Sequence, residues 1–127
     1  EPSNRVDWVQ IGCPHASMEE IREVADALEG KKVHEDVTLW VTTASAMYAM
    51  AERVGYVKTI EGAGGVIVQE TCPFLARSRV IAPNKGFTTL TTNSAKMAFY
   101  APGQFGLPSH FGNLDRVMKA AISGVWN

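Results

Sequence analysis

At 127 residues and 13.8 kDa the chain is long enough for one domain with a real hydrophobic core. Apolar residues at 46% and charged residues at 20% argue against a disordered chain, and no run approaches the roughly 18 apolar residues of a membrane span. A net charge of −1 and the lack of a secretory pattern argue against nucleic acid, membrane or export, so a cytoplasmic protein is expected.

Residues 7–11 (Asp-Trp-Val-Gln-Ile) are apolar and β-prone, and Gly12 ends them. Ser17-Met-Glu-Glu20 then reads as a capping box, with Ile21, Val24, Ala25 and Leu28 at helical spacing before Gly30. Residues 37–41 predict a buried strand with Thr42-Thr43 as its polar end. Ser45 is expected to cap a helix whose inner face is Met47, Met50, Ala51 and Val54. A shorter helix follows over residues 57–61, and Gly62-Ala-Gly-Gly65 turns the chain into a third strand at residues 66–68. Residues 73–87 read as irregular, with Pro73, Pro83 and Gly86 as breakers.

Residues 87–90 are expected to form a fourth strand leading to Asn93 or Ser94 as a helix cap, with Ala101-Pro102-Gly103 stopping that helix near Tyr100. Residues 109–112 suggest a short edge strand, and Asn113 caps a last helix with Val117, Met118, Ala121 and Ile122 inward. Strands alternating with helices predict an α/β fold: one three-layer αβα domain over residues 1–127, with a mostly parallel sheet of four to five strands.

In such a sheet the functional loops lie at the carboxyl ends of the strands. Cys13, His15, Thr42, Thr43, Cys72, Asn93 and Ser94 all fall at predicted strand ends. Both cysteines precede proline and stand 59 positions apart, which suits a metal or cluster centre, one disulfide, or two buried thiols. Asn93, Ser94 and Lys96 open a helix, where amides and a lysine suit a carboxylate or phosphate. Residues 1–63 hold 6 Lys/Arg against 11 Asp/Glu, while residues 64–127 hold 6 against Glu70 and Asp115 alone. An anionic small molecule would favour the second half, where Arg77 and Arg79 are further candidate anion binders. Ser17 is first a cap and second a substrate contact. Met47, Met50 and Trp40 read as core, His34 as solvated, and His110 as ambiguous.

Gly12-Cys-Pro-His-Ala-Ser17, Leu39-Trp-Val-Thr-Thr43, Gly55-Tyr56, Gly64-Gly65-Val-Ile-Val68 with Cys72, and Thr92-Asn-Ser-Ala-Lys96 with Tyr100-Ala-Pro-Gly103 together resemble the aconitase X family. These are aconitase-like dehydratases of the phosphomevalonate and hydroxyproline kinds. The resemblance implies the C-terminal portion of a large subunit, in keeping with a chain that opens Glu1-Pro2-Ser3 without methionine. It implies a hydro-lyase that removes water from a hydroxy acid such as mevalonate 5-phosphate, with the isolated domain inactive.

By the same resemblance Cys13 and Cys72 are metal ligands of an iron–sulfur cluster or a mononuclear iron, with at least one further ligand from outside this chain. His15 is the catalytic candidate, and Asn93, Ser94, Lys96, Ser17 and Thr43 are the substrate-binding candidates. The implied partners are the N-terminal part of the large subunit and a small swivelling subunit or domain that carries the base. The alternative is a non-catalytic α/β interaction domain with structural cysteines. A thiol enzyme built on Cys13 and His15 is the third reading, and it lacks an orienting carboxylate nearby.

Overall fold

Apolar residues at period two set five short strands into one parallel sheet, and a computed structural model of the chain describes residues 4–12, 16–69 and 87–126 of it. In chain order the elements are β1 (Trp8–Ile11), α1 (Met18–Leu28), β2 (Thr38–Thr43), α2 (Ser45–Arg53), α3 (Tyr56–Gly62), β3 (Val66–Gln69), β4 (Leu90–Thr92), α4 (Ala95–Phe105), β5 (Ser109–Phe111) and α5 (Leu114–Ser123). The strand order is β3-β2-β1-β4-β5, with every neighbouring pair parallel. The expected α/β class and strand number hold. No helix among the described residues is long and apolar enough to cross a membrane.

Register separates the two faces. Val9, Leu39 and Val41 align on one side and join the larger core with Ile21, Val24 and Leu28 of α1, Ala51 of α2, Ile60 of α3 and Val117 of α5. Trp8 and Leu90 align on the other side and pack with Met97 of α4. Each fully buried Leu, Ile or Val contributes about 1.5–3 kcal/mol, so the helix layers hold the sheet from both faces. Trp8 is the hub of the smaller cluster, edge-on to Trp40 at 5.5 Å and stacked on Phe87 at 5.3 Å.

Asp7 pins the amino end of the sheet. Its buried carboxylate accepts from the Thr88 amide at 2.7 Å and hydroxyl at 2.7 Å, and from the Thr89 amide at 3.0 Å and hydroxyl at 3.3 Å. Thr88 and Thr89 are thereby held just before β4, which begins at Leu90 rather than at Phe87 as the sequence suggests.

Three other expectations are corrected. Ala44, not Ser45, is the cap of α2, and it offers no side-chain cap. The inner face of α2 is Met47, Tyr48 and Ala51, which leaves Met50 and Val54 half exposed or more, at 50% and 60%. Helix α4 runs through Pro102 and Gly103 to Phe105. Pro102 has no amide hydrogen for the Ala98 carbonyl one turn back, and the Ser109 hydroxyl takes that carbonyl instead at 2.9 Å. The expected irregular stretch lies outside the described residues up to residue 86.

Candidate functional site

The chain moves from β1 outward to β2 and β3, then returns to the far side of β1 for β4 and β5, so the sheet reverses between β1 and β4. A crevice at the carboxyl ends of these two strands is where an open parallel sheet binds its ligand. Gly12 leaves β1 there at φ +83, a conformation glycine adopts without cost. A β-carbon on Gly12 would stand 2.5 Å from the Ala16 amide nitrogen and 2.6 Å from the Thr42 carbonyl oxygen.

The end of β2 holds both sides of the loop that spans residues 13–15. Thr42 donates its hydroxyl to the Gly12 carbonyl, and its own carbonyl accepts from the Ala16 amide at 2.6 Å. Thr43 is fully buried and donates its hydroxyl to the Ala16 carbonyl at 3.0 Å. Beneath them Gln10 is also fully buried, its Nε2 donating to Thr42 Oγ1 at 3.1 Å and to the carbonyls of Ile11 and Gly12 at 3.0 and 3.3 Å. The loop is therefore anchored at Gly12 and Ala16 by four polar contacts from two strands.

Across the crevice, Ser94 caps α4 by accepting from the Met97 amide at 3.2 Å, while its own amide donates to Thr92 Oγ1 at 3.1 Å. Asn93 is half-buried and Lys96 is exposed in the first turn of α4. Ser17 forms the expected capping box with Glu20 at 3.1 and 3.2 Å. The second carboxylate oxygen of Glu20 reaches across the crevice to accept from Asn93 Nδ2 at 3.1 Å. Ser17, Asn93 and Ser94 are thus drawn to one place, with Lys96 a turn further along α4. Cys13, His15, Cys72, Arg77 and Arg79 lie outside the described residues.

Sequence reasoning missed Gln10 and undervalued Glu20. A glutamine in phase with Trp8 within an apolar strand was the available signal, because a buried amide must find partners. Nothing local reveals that Glu20 serves two masters, since its second partner is 73 residues away. His110 sits on the helix-rich face at the sheet edge, 3.3 Å from Thr91 Oγ1 and stacked on Trp126 at 5.2 Å. Arg116 covers that indole at 4.1 Å. The surface groove bounded by Glu23, Asp26, Leu114 and Asp115 lies between α1 and α5, away from the crevice. Among the described residues no three His, Cys, Asp or Glu side chains gather as a metal-binding set.

The family model for the third domain of aconitase X matches residues 6–123. The chain belongs to the aconitase X family. Among curated proteins, the phosphomevalonate dehydratase large subunit of Methanocaldococcus jannaschii is 38% identical over 115 residues, covering 89% of this chain and 27% of the relative. The cis-3-hydroxy-L-proline dehydratase of Pseudomonas aeruginosa is 36% identical over 120 residues, covering 94% and 20%. The crystal structure of holo aconitase X from Thermococcus kodakaraensis superposes with a TM-score of 0.76 at 34% identity, covering 92% of this chain and 29% of that one. The chain thus spans about a quarter of the length of the aconitase X proteins it matches, and the fold is that of the solved structure.

Proposed function

We propose that this chain is the domain of an aconitase X dehydratase that completes the site where a β-hydroxy acid loses water. The observation that carries the reading is the switch-point crevice between β1 and β4, where Thr42 and Thr43 hold the loop after β1 and Glu20 reaches across to Asn93, in a chain whose relatives are named dehydratases. Mevalonate 5-phosphate is the first substrate to assay, because relatives of the phosphomevalonate kind reach 43% identity.

The residues fit an iron–sulfur cluster or mononuclear iron in topology and donor chemistry. Gly12 follows the end of β1 and Gln69 ends β3, and parallel strands bring both ends to one rim. Cys13 and Cys72 follow these positions in sequence, and thiolates are the ordinary protein ligands of such iron. In this reading Cys13 and Cys72 hold the group together with a ligand from the N-terminal part of the subunit. When bound, the group supplies a Lewis acid for the departing hydroxyl.

The chain's own residues do the rest of their share. Thr42 and Thr43 hold Gly12 and Ala16 on either side of the loop that carries His15, and His15 hydrogen-bonds the oxygen of the departing hydroxyl. Ser94 and Lys96, with Ser17 opposite, bind the anionic end of the substrate. The base that takes the carbon-bound proton comes from the small swivelling subunit or domain, so the isolated chain is inactive.

Anaerobic reconstitution with iron and sulfide, with and without the N-terminal part of the subunit, tests this. Stable iron only in the joined form, abolished by Cys13→Ala and by Cys72→Ala, is the expected result. A joined form that binds no iron under any condition would leave the cysteines structural and the domain an interaction module.

A further inference from the structure

The two amide side chains at the crevice have the same polarity. Nδ2 of Asn93 donates to a carboxylate oxygen of Glu20 at 3.1 Å. An ionised carboxylate only accepts, so Glu20 decides which end of the Asn93 amide faces it. Oδ1 is the end turned away, and no donor among the described residues reaches it. One strand away Nε2 of Gln10 is taken by two carbonyls and a hydroxyl, a set that likewise fixes the amide. Gln10 Oε1 is buried and has no donor among the described residues. Asn93 Oδ1 at the end of β4 is therefore an acceptor, and an acceptor repels a carboxylate or phosphate while it binds an O–H.

We propose that Asn93 Oδ1 receives the hydroxyl hydrogen of the β-hydroxy acid, and that Glu20 is the positioning residue that sets this polarity. This rests on the dehydratase reading and deepens it. Asn93 reads the hydroxyl, and the anionic end of the substrate is left to Ser94 and Lys96. Glu20 is suited to the task because its other oxygen is held by the Ser17 amide at 3.1 Å, so the carboxylate is fixed from both sides.

The test uses the iron-loaded whole enzyme and two inert probes. One is the 2,2-difluoro form of the hydroxy acid that the enzyme turns over, which has no proton to lose. The other is the same compound without its hydroxyl. The ratio of their inhibition constants measures what the hydroxyl adds to binding. In Asn93→Ala the ratio is expected to fall about tenfold, the worth of one good hydrogen bond. Glu20→Gln keeps a side chain that serves a capping box but can meet Asn93 with either end, so it should give an intermediate fall.

A merely structural role would weaken both probes alike and leave the ratio unchanged, and that result in either variant overturns the proposal. Asn93 is not the cap of α4, so its replacement spares the helix. If Asn93→Ala nevertheless fails to fold, Glu20→Gln decides alone. Wild-type enzyme that dehydrates no β-hydroxy acid would sink the dehydratase reading and this inference together. Active enzyme with an unchanged ratio sinks only the inference.

Discussion

Helix α4 carries its proline where a side chain from the next strand takes the orphaned carbonyl, and the worth of that contact is measurable. Pro102 withholds the amide hydrogen owed to the Ala98 carbonyl, and the Ser109 hydroxyl donates to it at 2.9 Å. Ser109→Ala leaves this half-buried carbonyl without its donor, at a cost of about 1 kcal/mol. With about 2.1 cal/mol/K of unfolding entropy per residue, a 127-residue chain loses about 4 °C of Tm for each kcal/mol. Pro102→Ala restores the amide donor to Ala98. In that background Ser109→Ala should cost only a few tenths of a kcal/mol, giving a coupling of about 0.5–1 kcal/mol between residues seven apart. Urea and thermal melts of the four proteins of the cycle supply the numbers. Equal cost of Ser109→Ala in both backgrounds would refute the repair and leave the proline tolerated for some other reason.

Gly12→Ala is expected to destabilise the chain by about 2–5 kcal/mol, from a left-handed backbone and a β-carbon driven into Ala16 and Thr42; an unchanged urea midpoint would show that the loop relaxes freely. Tyr48 has its phenol pushed above the usual 10.0 by partial burial first and then by Glu61 and Glu52. A raised value in the folded chain means that the hydroxyl's contribution is intact below the ordinary tyrosine range and lost as pH rises through the folded value. Ultraviolet titration should show Glu61→Gln moving the Tyr48 midpoint down towards free tyrosine.

Local rules carried most of the fold. Capping boxes, glycine stops and apolar spacing located α1, α3 and α5, and the alternation of strand and helix was enough for a parallel sheet. Errors arose where a distant partner overrules a local signal. Pro102 reads as a stop because Ser109 cannot be seen from α4, and residues 87–89 read as strand because Asp7 claims Thr88 and Thr89 from the other side of the chain. Met50 was misassigned for a different reason. In a helix of nine residues the inward face keeps Met47 and Ala51 but turns towards Tyr48, and so short an apolar pattern does not fix that rotation. At the site, strand ends are legible as positions, and Thr43, Asn93 and Ser94 do lie at the ends of β2 and β4. What each atom does is not legible, because the polarity of Asn93 is set by Glu20 and the hydroxyl of Thr43 is spent on Ala16.

The grip of Asp7 on Thr88 and Thr89 has a consequence for how this protein family can change. Asp7 fastens β1 to the approach of β4 at one end of the two strands, and the contact from Glu20 to Asn93 fastens α1, the helix that follows β1, to the end of β4 at the other. A cleft held at both ends has its width settled before any ligand arrives, so little ordering remains to oppose binding. Such a cleft is rigid in evolution as well. New substrates must be admitted by exchanging the chemical groups along its lip, because widening the gap means releasing an anchor at one end.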